Sequence, residues 1–130
     1  MRSFSIASFL LLSSACALHA QCDSLIRLDT KAKGGEVQIS VRNTSKHPII
    51  AYVVISKPAA PGDTAPARVY SGVFTDGDSL LPSRSLLIAT VAASNKEPLM
   101  IDYVRLRNSQ TCGMATSEAA RKIAAGYKRE

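Results

Sequence analysis

The stretch EVQISVR, residues 36–42, alternates without a break. Val37, Ile39 and Val41 point one way, and Glu36, Gln38, Ser40 and Arg42 the other. A period of two with one apolar face is a strand that buries that face on a core. Gly34-Gly35 just before it is a turn signal. It joins the preceding run, residues 25–32, to this strand as a hairpin.

The same reading extends along the chain. Asn43 to His47 is a polar loop, and Pro48 opens residues 49–56, IIAYVVIS. That run is apolar on both faces and rich in β-branched residues, so it predicts a central strand. Residues 57–67, KPAAPGDTAPA, hold three prolines and a glycine and predict an exposed loop. Further strands are expected over 68–74, 85–92, 98–107 and 110–112. Gly72 marks a weak point or bulge in the first of these. In PLMIDYVRLR, Leu99 and Ile101 share one face, whereas Val104 and Leu106 share the other. One core can take both pairs only if the strand bulges or twists near Asp102-Tyr103. The expected inward set is Val37, Ile39, Val41, Ile50, Tyr52, Val54, Leu86, Ile88, Val104 and Leu106.

About seven short strands with turns every 8–12 residues predict an all-β fold, an immunoglobulin-like antiparallel β-sandwich. From Thr116 the pattern becomes helical. Thr116 or Ser117 suits a cap, and Glu118 suits the positive first turn. Ala119, Ile123 and Tyr127 recur on one face, with Ala120 and Ala124 beside them. A stripe made mostly of alanine predicts weak docking and a frayed end.

The N-terminus has the grammar of a secretory signal peptide, with a signal helix expected over Phe4–Leu12. Met1-Arg2-Ser3 is short and basic, residues 4–12 are apolar or small, and residues 13–20, SSACALHA, end in small residues. Cleavage after Ala17 fits an A-x-A pattern. Cleavage after Ala20 leaves a Gln21-Cys22 start and is favoured, because Leu18-His19 make an odd mature terminus. Lipidation at Cys16 is disfavoured, since Ser13 stands where a lipobox wants Leu. The expected organisation is a signal peptide over 1–20, a sandwich domain over 21–113 and a helical tail over 114–130. The product would be secreted or periplasmic, with no stable membrane span once the signal is removed. Either cut removes Cys16 and leaves Cys22 and Cys112, an even pair in an oxidising compartment. A bridge between them would close a loop of about 90 residues, for which the loop-entropy model gives about 4–5 kcal/mol.

At these residues a resemblance appears. Val41-Arg42-Asn43-Thr44-Ser45, Ile50-Ala51-Tyr52 and Leu81-Pro82-Ser83-Arg84-Ser85 look like the V-x-N-x-S, aromatic-strand and L-x-P-G-x-S pattern of extracytoplasmic bacterial sandwiches. The segment 104–113, VRLRNSQTCG, resembles their V-x-F-x-D-G-T-x-x-G ending. The chain is similar, over about residues 36–113, to small secreted bacterial proteins with an immunoglobulin-like, FxLYD-type domain. Ser83 replaces the turn glycine, Leu106 the phenylalanine, and Asn108-Ser109 the Asp-Gly pair. The resemblance implies the sandwich fold and no catalytic residues.

Chemistry-bearing motifs are sparse. The formal charge of +6 favours weak contact with anionic surfaces. There is neither a basic helix nor an aromatic ladder, so nucleic acid is not an expected partner. His47 is the one histidine after the signal and has no catalytic or metal-binding neighbour in sequence. Asp76-Gly77-Asp78-Ser79 opens like a calcium loop, but Leu87 stands where the twelfth-position Glu belongs. A hairpin turn is the plainer reading, and Asp63 could join only if the loops met. Asn43-Thr44-Ser45 matches a glycosylation sequon or an Asx-type loop. Tyr103, Arg105 and Arg107 share one strand face and form a candidate contact strip, against the plainer reading of a solvated face. No cofactor, metal site or catalytic constellation is expected. The function expected is a non-enzymatic domain that binds a protein or envelope component. A carbohydrate-binding module is the alternative, weakened by the absence of tryptophan.

Overall fold

The computed structural model describes residues 22–56, 68–75, 77–95 and 97–128. The signal segment with its expected helix and the loop over 57–67 lie outside the described residues, as does Asp76.

Seven strands form two antiparallel sheets. They are β1 (Ile26–Lys33), β2 (Glu36–Asn43), β3 (Ile49–Ser56), β4 (Val69–Val73), β5 (Ser85–Ala92), β6 (Leu99–Leu106) and β7 (Thr111–Cys112). A three-stranded sheet has the order β1-β2-β5 and a four-stranded sheet the order β4-β3-β6-β7. One helix, α1 (Glu118–Lys128), follows β7. The β1–β2 hairpin turns on Gly34 and Gly35, both at positive φ. A two-residue turn of this kind matches the twist of the paired strands and favours glycine.

The core between the sheets gathers Ile26 and Val41 from one side and Ile49, Tyr52, Val54, Val104 and Leu106 from the other, with Leu86 and Ile88 packed against it. All the expected inward residues face this inter-sheet space except Ile50. The β3–β6 register slips between Ile49 and Ala51. Ile49 therefore takes the fully buried place and Ile50 stays half-buried.

Two more bulges set which side chains meet. On β6, Val53 faces Tyr103 and Val54 faces Ile101, so Asp102 is the extra residue. That reverses the phase where the sequence requires it, and both apolar pairs pack on one core. On β5, Ile39 faces Ala89 while Ser40 faces Leu87, leaving Ile88 extra. Val91 thereby comes opposite the buried Val37. Strict alternation from Leu86 would have turned it outward.

β3 is apolar on both faces because each face is covered. Its second face, with Ala51, Val53 and Ile55, packs with Tyr103 against Ala119, Ala120, Ile123, Ala124 and Tyr127 of α1. The molecule is thus layered as helix, four-stranded sheet and three-stranded sheet. The alanine stripe does face the sheet: Ala120 is fully buried, and small side chains let the helix lie close on it.

Cys22, just ahead of β1, is bonded to Cys112 in β7 with a Cα–Cα distance of 5.5 Å. β1 and β7 are edge strands of different sheets. The bridge therefore closes one side of the sandwich across its two layers.

Candidate functional site

Tyr103, Arg105 and Arg107 do not form an open strip. Tyr103 is buried under α1. Arg105 is half-buried, with its guanidinium carbon 4.1 Å from the centre of the Tyr127 ring. Only Arg107, just beyond β6, is exposed, and it donates to the Gly77 carbonyl at 3.2 Å. The helix that covers β3 also takes Tyr103 and half of Arg105 from solvent. This corrects the strip as an accessible surface.

Asn43 is a buried junction. Its Nδ2 donates to the carbonyls of His47 and Leu80, each at 2.8 Å. Its Oδ1 accepts from the Ser45 backbone N–H at 2.9 Å and the Ser45 hydroxyl at 2.7 Å. Its backbone pairs with Arg84 and Ser83. The V-R-N-T-S and L-P-S-R-S segments, far apart in sequence, thus meet at one residue, through the Asn43 backbone. The Asx-loop reading holds for Asn43, and a fully buried amide is closed to glycosylation in the folded chain. Ser83 (φ 68°) and Ser109 (φ 75°) both lie in the left-handed region. These are the two positions where serine stands for the glycine of the resembling pattern.

The most structured polar site is Asp102, which the sequence reading noted only as a phase break. Its Oδ1 accepts from the Thr116 N–H and hydroxyl, both at 2.9 Å. Its Oδ2 accepts from the Ser117 N–H at 2.9 Å and the Ser117 hydroxyl at 2.6 Å. Ser117 Oγ in turn accepts from Ala120 N–H at 3.2 Å, the N-cap of α1. Burial alone would raise the Asp102 carboxyl. The hydrogen bonds from Ser117 and Thr116 outweigh it and hold the group below its ordinary value. All four acceptor positions are filled from within the chain, so Asp102 anchors α1 and has no free lone pair for catalysis. The signal for it was a lone carboxylate inside an apolar strand.

Among the described residues no three His, Cys, Asp or Glu side chains gather as a metal site. His47 is exposed in the β2–β3 loop. Asp63 and Asp76 lie outside the described residues, and Asp78 is exposed.

Among the described residues two features offer a surface to a ligand or partner. The first is a cleft of about 170 Å³ between the sheets, at the end where the β1–β2 turn and the β5–β6 connection meet. Leu28, Val37, Ile39, Val91 and Leu99 line it. Arg68, Tyr70 and Glu97 stand among its polar groups, with Arg68 Nε 3.0 Å from Glu97 Oε1. The neighbouring Tyr70 and Glu97 side chains raise the Arg68 guanidinium above its ordinary value.

The second feature is the free edge of β5. β1 carries Arg27, Asp29, Lys31 and Lys33, β7 is two residues long and β4 is five. β5 spans eight residues, SLLIATVA, without a charge, and Leu87 on it is 53% exposed. Among the described residues only β2 pairs with it.

No family model, curated protein or solved structure matches this chain.

Proposed function

We propose that this chain is a non-enzymatic, immunoglobulin-like domain that works outside the cytoplasm by binding an extended segment of an envelope protein. The observation that carries the reading is the β5 edge. Native sheets guard long edges with charge, shortness or cover. Here β1 carries charge, β7 is two residues long and β4 is shorter than β5, and among the described residues the longest uncharged edge is left unpaired. An added strand gains backbone hydrogen bonds there, with Leu87 as an apolar anchor. The bulge at Ile88 bends the edge and restricts the guest to a short segment.

Several observations support the setting. The Cys22–Cys112 bridge suits an oxidising compartment and agrees with a secretory start to the chain. The strand orders β1-β2-β5 and β4-β3-β6-β7 fit the immunoglobulin-like scheme of two antiparallel sheets with connections that cross between layers. The two buried polar junctions, Asn43 and Asp102, are filled by internal hydrogen bonds and serve the fold.

The test is a photo-crosslinking residue placed at Leu87 in the exported protein, with Arg27 on the β1 edge as control. A discrete adduct from position 87, absent from position 27 and lost when Thr90→Pro disrupts the edge, is the expected result. Equal labelling from both positions, or none from 87, overturns the β5 reading.

A further inference from the structure

We propose that the inter-sheet cleft binds a short aliphatic monocarboxylate, its chain between the sheets and its carboxylate on Arg68. This goes beyond the edge-binding reading and depends on none of its residues. Val37 and Ile39 are buried, yet the close-packed core of the sandwich does not extend to them. The space beside them is the cleft, walled by Leu28 from β1, Val91 from β5 and Leu99 from β6. These walls are mainly apolar, so a ligand tail lying between them exchanges water for carbon contacts. A dry apolar cavity of about 150 Å³ accepts a benzene-sized molecule. A cleft of about 170 Å³ therefore has room for a chain of about six carbons.

The polar rim sets the head group. Arg68 is held by Glu97 through Nε, with Tyr70 beside it in the cleft lining. That ion pair reduces the rotamer freedom that a ligand would otherwise have to remove. A guanidinium carries five donors, so Arg68 still has N–H groups for a carboxylate. An ammonium head would have to compete with Arg68 for Glu97 and would lie against the guanidinium. A dianion would face Glu97 with twice the charge of a carboxylate. A neutral hydroxyl would forgo the charge-assisted bond. The site thus selects a monoanion over these alternatives, and burial of the tail supplies the rest of the affinity.

The experiment is an amide NMR titration of the purified, oxidised protein with hexanoate, 1-hexanol and hexylammonium, each to about 10 mM, a range that detects a millimolar Kd. Hexanoate is expected to shift the amides of Val37, Ile39, Val91 and Leu99, and to bind at least about fivefold more tightly than the other two. Val91→Phe, which fills the cleft, should weaken hexanoate by about tenfold or more. Arg68→Gln changes a rim residue and leaves the walls intact. It should bring hexanoate down to the level of hexanol and leave hexanol unchanged. No shift at the cleft amides overturns the proposal. So does equal binding of the three probes, or an Arg68→Gln protein that still prefers hexanoate. None of these outcomes bears on crosslinking at Leu87, so the two readings fail separately.

Discussion

Asn43 concentrates more of the fold than any other polar side chain described here. Its amide joins the β2–β3 loop to Leu80 and so holds the long β4–β5 connection against the sandwich. Asn43→Ala would leave two carbonyls short of a donor and is expected to cost about 2–3 kcal/mol, read as a lower urea midpoint at unchanged slope. Ser83 and Ser109 are strained in the opposite sense. A left-handed conformation costs a side-chain-bearing residue about 1–2 kcal/mol, and glycine avoids it at some cost in unfolded-chain entropy. Ser83→Gly and Ser109→Gly should therefore each raise stability, by about 0.5 kcal/mol, visible as a higher Tm. Asp102 carries a pH dependence. Its folded carboxyl titrates below the unfolded value, so its contribution is present above the ordinary Asp range and is lost as pH falls through the folded pKa. Asp102→Asn presents an NH2 to groups that already donate. It should cost about 2 kcal/mol at neutral pH and flatten the acid limb of the stability curve below about pH 4. An unchanged acid limb would mean that the carboxylate does not couple to folding.

Among the elements, α1 has the largest effect on which surfaces exist. It covers Ala51, Val53, Ile55 and Tyr103. A chain ending at Gly113 should expose this face, bind a hydrophobic dye and melt at lower temperature than the full chain. Identical melting and no dye binding would mean that the helix only rests on the sheet. The strands were legible because their periods are strong. EVQISVR reads as a half-buried strand, IIAYVVIS reads as buried on both faces, and the phase break in PLMIDYVRLR announces its bulge. What lay over the second face of IIAYVVIS was not legible. An alanine-rich stripe carries little hydrophobic signal, and the anchor holding it, Asp102, lies 14 residues from Thr116. The contact strip failed for the same reason, since alternation puts Tyr103 and Arg105 on one face without saying whether a helix covers it. Nor could sequence separate Arg68 and Glu97 from ordinary surface charge. Their pairing depends on two connections meeting at one end of the sandwich. The bulge at Ile88 left no mark either, because SLLIATVA is apolar enough to satisfy either register.

At the scale of the whole molecule, one covalent link ties the start of β1 to β7, and the opposite edge of the three-stranded sheet, β5, is unpaired among the described residues. The bridge stiffens the side away from β5. Cys112→Ser should lower stability by about 2–5 kcal/mol while leaving the β5 crosslinking pattern qualitatively intact, because the two lie on opposite sides of the sandwich. An exported, disulfide-closed binding domain is the central claim. It is tested most directly by mass spectrometry of the protein recovered from outside the cytoplasm, mapped without reduction after alkylation. The account predicts an N-terminus at Leu18 or Gln21 and a linked peptide pair holding Cys22 and Cys112. An intact Met1 with both cysteines alkylated would contradict it.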